Sequence, residues 1–426
     1  MAGEFTNMRA LLTALAKSMN LVNPDVEHHH EQTAYLAFQI GYEMGLRDED
    51  LHYTIYVALL HDIGSVVSAE PQTISEIEAH GKEVAKIGAS MIRDLQQFRR
   101  AADLIEVVQN SYQENLPLLG ESVAMDISQA VHVADAAASL VRERIPILNQ
   151  VKCIVSAVNN LRGTEFSPKA VDAFLTVSKR EFMWMDLSLN PSFLLYFTGE
   201  MRKVSLEETR LYTRLLSRII DFRSPFTAMH SAGVAASARE LARLCGMNAE
   251  ECTMMEIAGY LHDVGKLRVP NEILEKPGKL TDEEFNIVKE HPYYTRLILK
   301  DVDGFEKITD WAGFHHEKLN GNGYPFHFEA QRLDTGARIM AVADIFSAIT
   351  EVRPYRKGMD RTQAMRVLWE NVESGGISRE IVTLLEAHYD EVDTAREAES
   401  KAVGQRYFQS IEPMRKSLDD EQKPSS

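Results

Sequence analysis

His262 and Asp263 stand side by side, and Lys266 follows the histidine by four positions. Neighbours on a helix point about 100° apart, so such a pair can serve two sides of one metal cluster. The i,i+4 spacing returns Lys266 to the histidine's face, where an ammonium can hold a phosphate against the metals. Taken alone, a His-Asp pair is weak evidence. Its company changes the reading: His230 precedes it at the start of an apolar helical pattern, and His291, the doublet His315-His316, the loop Gly321-Asn-Gly-Tyr-Pro325 and Asp344 follow. Asp344 lies inside the apolar run Ile339 to Ile349, where an unpaired carboxylate is costly to bury. Seven imidazole and carboxylate groups in this order read as ligands for at least two metal ions. Nitrogen and oxygen ligands suit iron or manganese and leave zinc, cobalt and nickel open.

Hydrolysis of a phosphodiester without a covalent intermediate needs a strong nucleophile at neutral pH and positive charge against the developing oxygens. Two divalent ions about 3.5–4 Å apart supply both, and a carboxylate is their natural bridge. Asp263 is the candidate for that bridge. The motifs His230-Ser231, His262-Asp263-Val264-Gly265-Lys266, Glu290-His291-Pro292, His315-His316-Glu317 through Gly323-Tyr324-Pro325, Ala343-Asp344 and Arg353-Pro-Tyr-Arg356 span most of the second half. Together they make this half resemble the HD-GYP family of bacterial cyclic-dinucleotide phosphodiesterases.

The resemblance implies that His230, His262 and Asp344 hold one ion and that His291, His315 and His316 hold the other, with iron or manganese as the metals. Some members carry a glutamate four residues before the first histidine, supporting a third metal; Phe226 stands there in this chain, so two metals are expected. The resemblance also gives Arg353 and Arg356 a role in binding the dinucleotide, and the Gly323-Tyr324-Pro325 loop a part in shaping the site and in contacts with cyclic-dinucleotide synthases. Read from its residues alone, that loop is a turn with backbone freedom at its glycines and a stiffened exit at Pro325. Cyclic di-GMP and 3′,3′-cyclic GMP-AMP both remain open as substrates.

The 426 residues suffice for two or three domains with sizeable cores, and 45% hydrophobic with 26% charged residues is an ordinary globular composition. No apolar run approaches the ~20 residues of a membrane helix, and no basic-then-apolar leader opens the chain, so a cytoplasmic protein is expected. Three cysteines, Cys153, Cys245 and Cys252, lack paired spacing and read as thiols in a reducing compartment. A net charge of −17 argues against a general DNA binder. It leaves room for a small anionic substrate, because bound cations would be the largest local charges.

The periodicity predicts an all-α chain throughout. An internal repeat organises it: His29 precedes His61-Asp62 by 32 positions, as His230 precedes His262-Asp263. Further on, His80-Gly81 matches His291-Pro292, Val133-Ala134-Asp135 matches Val342-Ala343-Asp344, and Phe166-Ser-Pro168 matches Ile377-Ser-Arg379. The chain therefore reads as two HD-type bundles in tandem, over 1–200 and 223–395, with a linker helix at 201–222 and a polar tail at 396–426. The first copy keeps His29, His61, Asp62, His80 and Asp135, but Ser65 replaces the lysine and the histidine doublet falls near Gln109-Asn110. It is expected to be regulatory or structural, with a metal site left conceivable. Phe182, Met183, Trp184, Met185 and Phe193 to Phe197 suggest an interdomain or subunit core. Leu211, Leu215 and Ile219 mark one stripe of the linker helix, which can carry movement between bundles or make a dimer seam. His52, His132, His327 and His388 match no motif position. The resulting expectation is a two-metal cyclic-dinucleotide phosphodiesterase. The rivals are an HD-type nucleotide phosphomonoesterase and a catalytically silent module binding a cyclic dinucleotide or a synthase.

Overall fold

The computed structural model describes residues 4–22, 28–67, 80–93, 95–142, 144–188, 202–223, 225–274, 276, 278–351, 357–406 and 409. Among them the chain is helical throughout, as its periodicity predicts, apart from two short antiparallel strands, Glu4–Asn7 and Lys203–Ser205. No helix among the described residues is long and apolar enough to cross a membrane.

The chain divides into two compact units: Leu15–Ser65 with Pro71–Arg202, and Met1–Ala14 with Val66–Glu70 and Lys203–Ser426. The first residues therefore group with the later half rather than with a 1–200 domain. The causes are local pairings: Thr6 lies opposite Val204, Asn7 donates to Asp303 at 3.2 Å, and the Phe5 ring packs 6.1 Å from Phe305. Gly304, at φ +81°, brings its backbone under the Phe5 carbonyl, where a β-carbon would lie 2.6 Å from the oxygen.

In the earlier unit, the His29–Glu43 helix packs against Asp48–Leu60 and Val123–Ser139. Ser111 opens the Tyr112–Leu119 helix with a reciprocal capping box to Glu114, and Ser167 caps Pro168–Val177. His132 is buried with its ring edge against Phe166, and burial lowers it to about 4; His327 and His388 are exposed. Trp184 is buried against Phe174 and donates to the Ser178 carbonyl at 2.9 Å, whereas Phe182 and Met185 are 55% and 45% exposed. The aromatic stretch is thus only half a core where it is described, and Phe193 to Phe197 lie outside the described residues.

The later unit is built around the Pro225–Leu244 helix, which packs on Leu206–Arg223, Ala249–Leu261, Thr335–Thr350 and Tyr389–Arg406. Asn248 and Glu251 form the capping box that starts Ala249–Leu261, and Gly259 lets that helix meet Ala235, whose Cα a β-carbon would approach to 2.5 Å. The linker helix buries Thr209, Tyr212, Thr213, Leu216 and Ser217; Leu211 is only half-buried, and the side chains of Leu215 and Ile219 lie outside the described residues. Arg210 and Arg214 of this helix, with Arg239, surround the buried carboxylate of Glu256. The closing helix continues past the expected start of the tail to Arg406, with Arg396 buried against Asp393 and Ser400 donating to the Met229 carbonyl.

Candidate functional site

The helix Ala249–Leu261 stops one residue before His262, and a 3-10 turn, Val264–Arg268, follows Asp263. The expected continuous helix therefore ends at the site itself. Lys266 meets Asp263 Oδ2 at 2.6 Å, three residues back, the same oxygen that His262 Nε2 approaches to 3.2 Å. Gly265 seats this turn against the helix His291–Leu299: its N–H donates to Thr295 Oγ1 at 3.1 Å, and Thr295 donates to the His262 carbonyl at 2.9 Å.

Four further elements bring in the rest. His230 comes from within Pro225–Leu244, His291 opens its own helix with Pro292 in the first turn, His315-His316 follow Glu306–Gly313, and Asp344 projects from Thr335–Thr350. The seven side chains meet in one cluster, which divides into overlapping groups: His230, His262 and Asp344; His262, Asp263 and His315; His291, His315 and His316. His230 Nε2 lies 3.1 Å from Asp344 Oδ1, and His316 Nδ1 lies 3.7 Å from Asp344 Oδ2. Asp263 turns its two oxygens to different partners, Oδ2 to His262 Nε2 at 3.2 Å and Oδ1 to His291 Nε2 at 3.3 Å.

The donor set fits metal ions for a reason visible in the hydrogen bonds. His262, His291 and His315 each place Nδ1 2.6–2.8 Å from the carbonyl three residues earlier, those of Gly259, Val288 and Ala312. A carbonyl only accepts, so each Nδ1 carries a proton, and each ring turns its Nε2 edge inward. His291 Nε2 and His315 Nε2 face one another at 3.1 Å. Burial pushes His291 well below its usual range and His315 down to about 4, so both rings are neutral and their lone pairs repel unless a cation lies between them. Burial raises Asp263, but His262 and Lys266 more than reverse this and hold its carboxyl well below the usual range. His230 behaves differently: burial pulls it down, and the Asp344 and Glu351 carboxylates push it up to about 9.

The Gly321 to Pro325 loop has a structural part that its sequence left silent. Gly321 adopts φ +75°, and Gly323 packs so closely on Glu317 and Lys318 that a β-carbon would lie 2.3 Å from the Lys318 nitrogen. Tyr324 is thereby laid over His316, ring centroids 4.8 Å apart, and walls one side of the cluster. The buried Glu317 carboxylate fixes the exit by accepting from the Phe326 and Phe328 N–H groups at 2.7 and 2.9 Å. Glu317→Ala is expected to cost about 1–3 kcal/mol through these stranded donors, read as a fall in the urea unfolding midpoint. Glu317→Gln should lie between the variant and the parent. Arg353 and Arg356 lie outside the described residues.

The earlier unit holds a smaller cluster of His29, His61, Asp62 and Asp135. Asp135 Oδ1 lies 3.0 Å from His29 Nε2 and 3.3 Å from His61 Nε2, while Gln109 donates to its Oδ2 at 2.9 Å. Gln109 thus faces Asp135 where His316 faces Asp344. His80 sits at the start of Gly81–Ile92 and is not among the four; His30, which the repeat did not single out, packs its ring 5.6 Å from His29 and 5.8 Å from His61. The shared arrangement is one HD-type ligand set without the second group of histidines among the described residues.

Comparison with known proteins agrees with both halves. HD-domain family models match residues 26–145 and 214–381. The chain is 26% identical over 404 residues to 3′3′-cGAMP-specific phosphodiesterase 1 of Vibrio cholerae, covering 89% of this chain and 91% of that one. It is 40% identical over 146 residues to a cyclic di-GMP phosphodiesterase of Pseudomonas aeruginosa, 34% of this chain and 35% of that one. Its fold matches the crystal structure of a cyclic GMP-AMP-specific phosphodiesterase of V. cholerae with a TM-score of 0.64 at 21% identity, over 91% of this chain and 98% of the other. Two HD domains in tandem, the second with the cluster and loop of the HD-GYP type, place the chain in the HD-domain family.

Proposed function

We propose that the second HD domain is a metal-dependent phosphodiesterase that opens a cyclic dinucleotide, 3′,3′-cyclic GMP-AMP or cyclic di-GMP, to a linear 5′-phosphorylated dinucleotide. The observation that carries this reading is the convergence of three inward Nε2 atoms around a buried carboxylate whose two oxygens face different histidines. Relatives matched along nearly their whole length are named for 3′3′-cGAMP, and those matched over a smaller share are named for either 3′3′-cGAMP or cyclic di-GMP. Both substrates therefore belong in the test.

His230, His262 and Asp344 would hold one divalent ion and His291, His315 and His316 the other, with Asp263 shared between them and iron or manganese as the metals. When bound, such ions supply Lewis-acid charge and a nucleophile at neutral pH. The chain's own groups do the rest. Lys266, the partly exposed cation beside Asp263, would hold a phosphate oxygen. His291 and His315, held neutral by burial, would offer lone pairs to the ions, and Tyr324 would restrict water on the His316 side. Arg353 and Arg356 would meet the far phosphate or a guanine edge, where a guanidinium binds two acceptors at once. The first HD domain would regulate or stabilise the second, and the Gly323-Tyr324-Pro325 loop would receive a cyclic-dinucleotide synthase.

Product chromatography after manganese- or iron-loaded protein meets each cyclic dinucleotide separately tests the activity, with Asp263→Ala as control. A linear dinucleotide from either substrate, lost in the variant, is expected. Phosphate release from mononucleotides alone would make the protein a phosphomonoesterase. Tight binding without turnover at full metal loading would make it a receptor.

A further inference from the structure

His262, His291 and His315 share one way of fixing the ring: each sits at a helix boundary, where the carbonyl three residues back has no helical N–H to accept and takes the Nδ1 proton instead. His61, just after the Asp48–Leu60 helix, does the same with the Ala58 carbonyl at 2.7 Å. His230 cannot. It lies inside Pro225–Leu244, where the backbone carbonyls belong to the helix ladder, and its Nδ1 makes no hydrogen bond among the described residues. The group that stands at that edge of the ring is Glu351, whose Oε2 lies 3.6 Å from His230 Nδ1 with both side chains buried.

Glu351 occupies this place through its own helix. It is the C-cap of Thr335–Thr350, seven residues and two turns after Asp344, so the same face delivers both carboxylates. One takes each edge of the imidazole: Asp344 at Nε2, 3.1 Å, and Glu351 at Nδ1. Its backbone is pinned by the Glu351 N–H to the Ser347 carbonyl at 3.0 Å. Gly358 presses on the same turn, where a β-carbon would come 2.1 Å from the Thr350 carbonyl oxygen. A buried carboxylate on the outer nitrogen of a ligating histidine orients the ring, keeps the proton on that nitrogen and strengthens the inner one as a donor.

We propose that Glu351 is the positioning residue of His230: it holds the Nδ1 proton and so sets the occupancy of the His230–His262–Asp344 ion. The proposal rests on reading those three residues as one ion's ligands and is independent of the substrate. Full-length parent, Glu351→Ala and Glu351→Gln protein would be stripped with chelator, reloaded with Mn(II), and assayed for manganese per chain and for retention against graded chelator. Circular dichroism of the stripped forms checks that each is folded.

The parent is expected to keep two ions. Glu351→Ala should lose one of them at chelator concentrations roughly 10–100-fold lower. Glu351→Gln, whose amide oxygen can still face Nδ1 as an acceptor, should recover most of that difference, which a merely space-filling role would not require of a polar group. Manganese content and retention in Glu351→Ala equal to the parent's would overturn the proposal, as would a Glu351→Gln variant no better than alanine. A parent that holds two ions yet turns over no cyclic dinucleotide would defeat the proposed activity while this result still decided the role of Glu351.

Discussion

Asp263→Ala is expected to abolish turnover, by about 10³-fold or more, and to lower the metal content of the whole cluster rather than of one position. Removal of a single preorganised electrostatic group at a reacting centre commonly costs about 10²–10³-fold, and Asp263 serves more than one. Its side chain is 1% exposed, with Lys266 and His262 on Oδ2 and His291 on Oδ1. Alanine would leave a buried set of imidazoles and an ammonium with Asp344 and, at the outer edge of His230, Glu351 as their negative charges, an arrangement that repels a second cation. Asp263→Asn separates shape from charge. It keeps the size of the side chain but offers one oxygen where two face different rings, so it should retain the fold, bind fewer ions and stay nearly inactive. Elemental analysis beside turnover decides the matter: an asparagine variant with two ions and a rate within tenfold of the parent would remove Asp263 from the bridging position.

The site was legible because its chemistry needs residue types that rarely collect by chance. Histidine and aspartate at His230, His262, Asp263, His291, His315, His316 and Asp344 declare themselves without any knowledge of where the helices run. What the sequence hid is geometric. Lys266 was placed by assuming a helix through residue 266, but the helix ends at Leu261, and the 3-10 turn rotates the ammonium onto Asp263. Glu351 belongs to no motif; only its seven-residue spacing from Asp344 hinted at a shared face, and its meaning depends on His230 lying within a helix while the other rings lie at helix ends. The strand Glu4–Asn7 was invisible because four residues carry no useful period and its partner is some 200 positions away. The repeat brings His29, His61, Asp62 and Asp135 into one cluster and aligns Gln109 with the histidine doublet, yet it also offers His80 and passes over His30. A repeat aligns positions, and it does not say which side chains have taken over their neighbours' roles.

The repeat does predict a paired experiment, because both copies keep a glycine two residues after the aspartate of the His-Asp pair. A β-carbon at Gly265 would lie 2.0 Å from the His291 carbonyl oxygen and 2.7 Å from the Thr295 nitrogen; at Gly64 it would lie 2.1 Å from the Val84 carbonyl oxygen and 2.8 Å from the Gly88 nitrogen. The obstacle at each is backbone, which cannot swing aside as a side chain can, so the turn and the facing helix must separate. Such overpacking costs about 1–3 kcal/mol and at times more, and both Gly265→Ala and Gly64→Ala should unfold at lower urea or temperature. Their effects on chemistry should differ. Gly265→Ala moves His262 and Asp263 away from His291, so metal retention and turnover should fall together with stability. Gly64→Ala disturbs only the cluster of His29, His61, Asp62 and Asp135 directly, and the manganese held by the second domain should match the parent's. If turnover nevertheless changes in Gly64→Ala with metal content intact, the first domain regulates the second. Unchanged turnover in a variant whose first domain is measurably loosened would leave that domain a structural role.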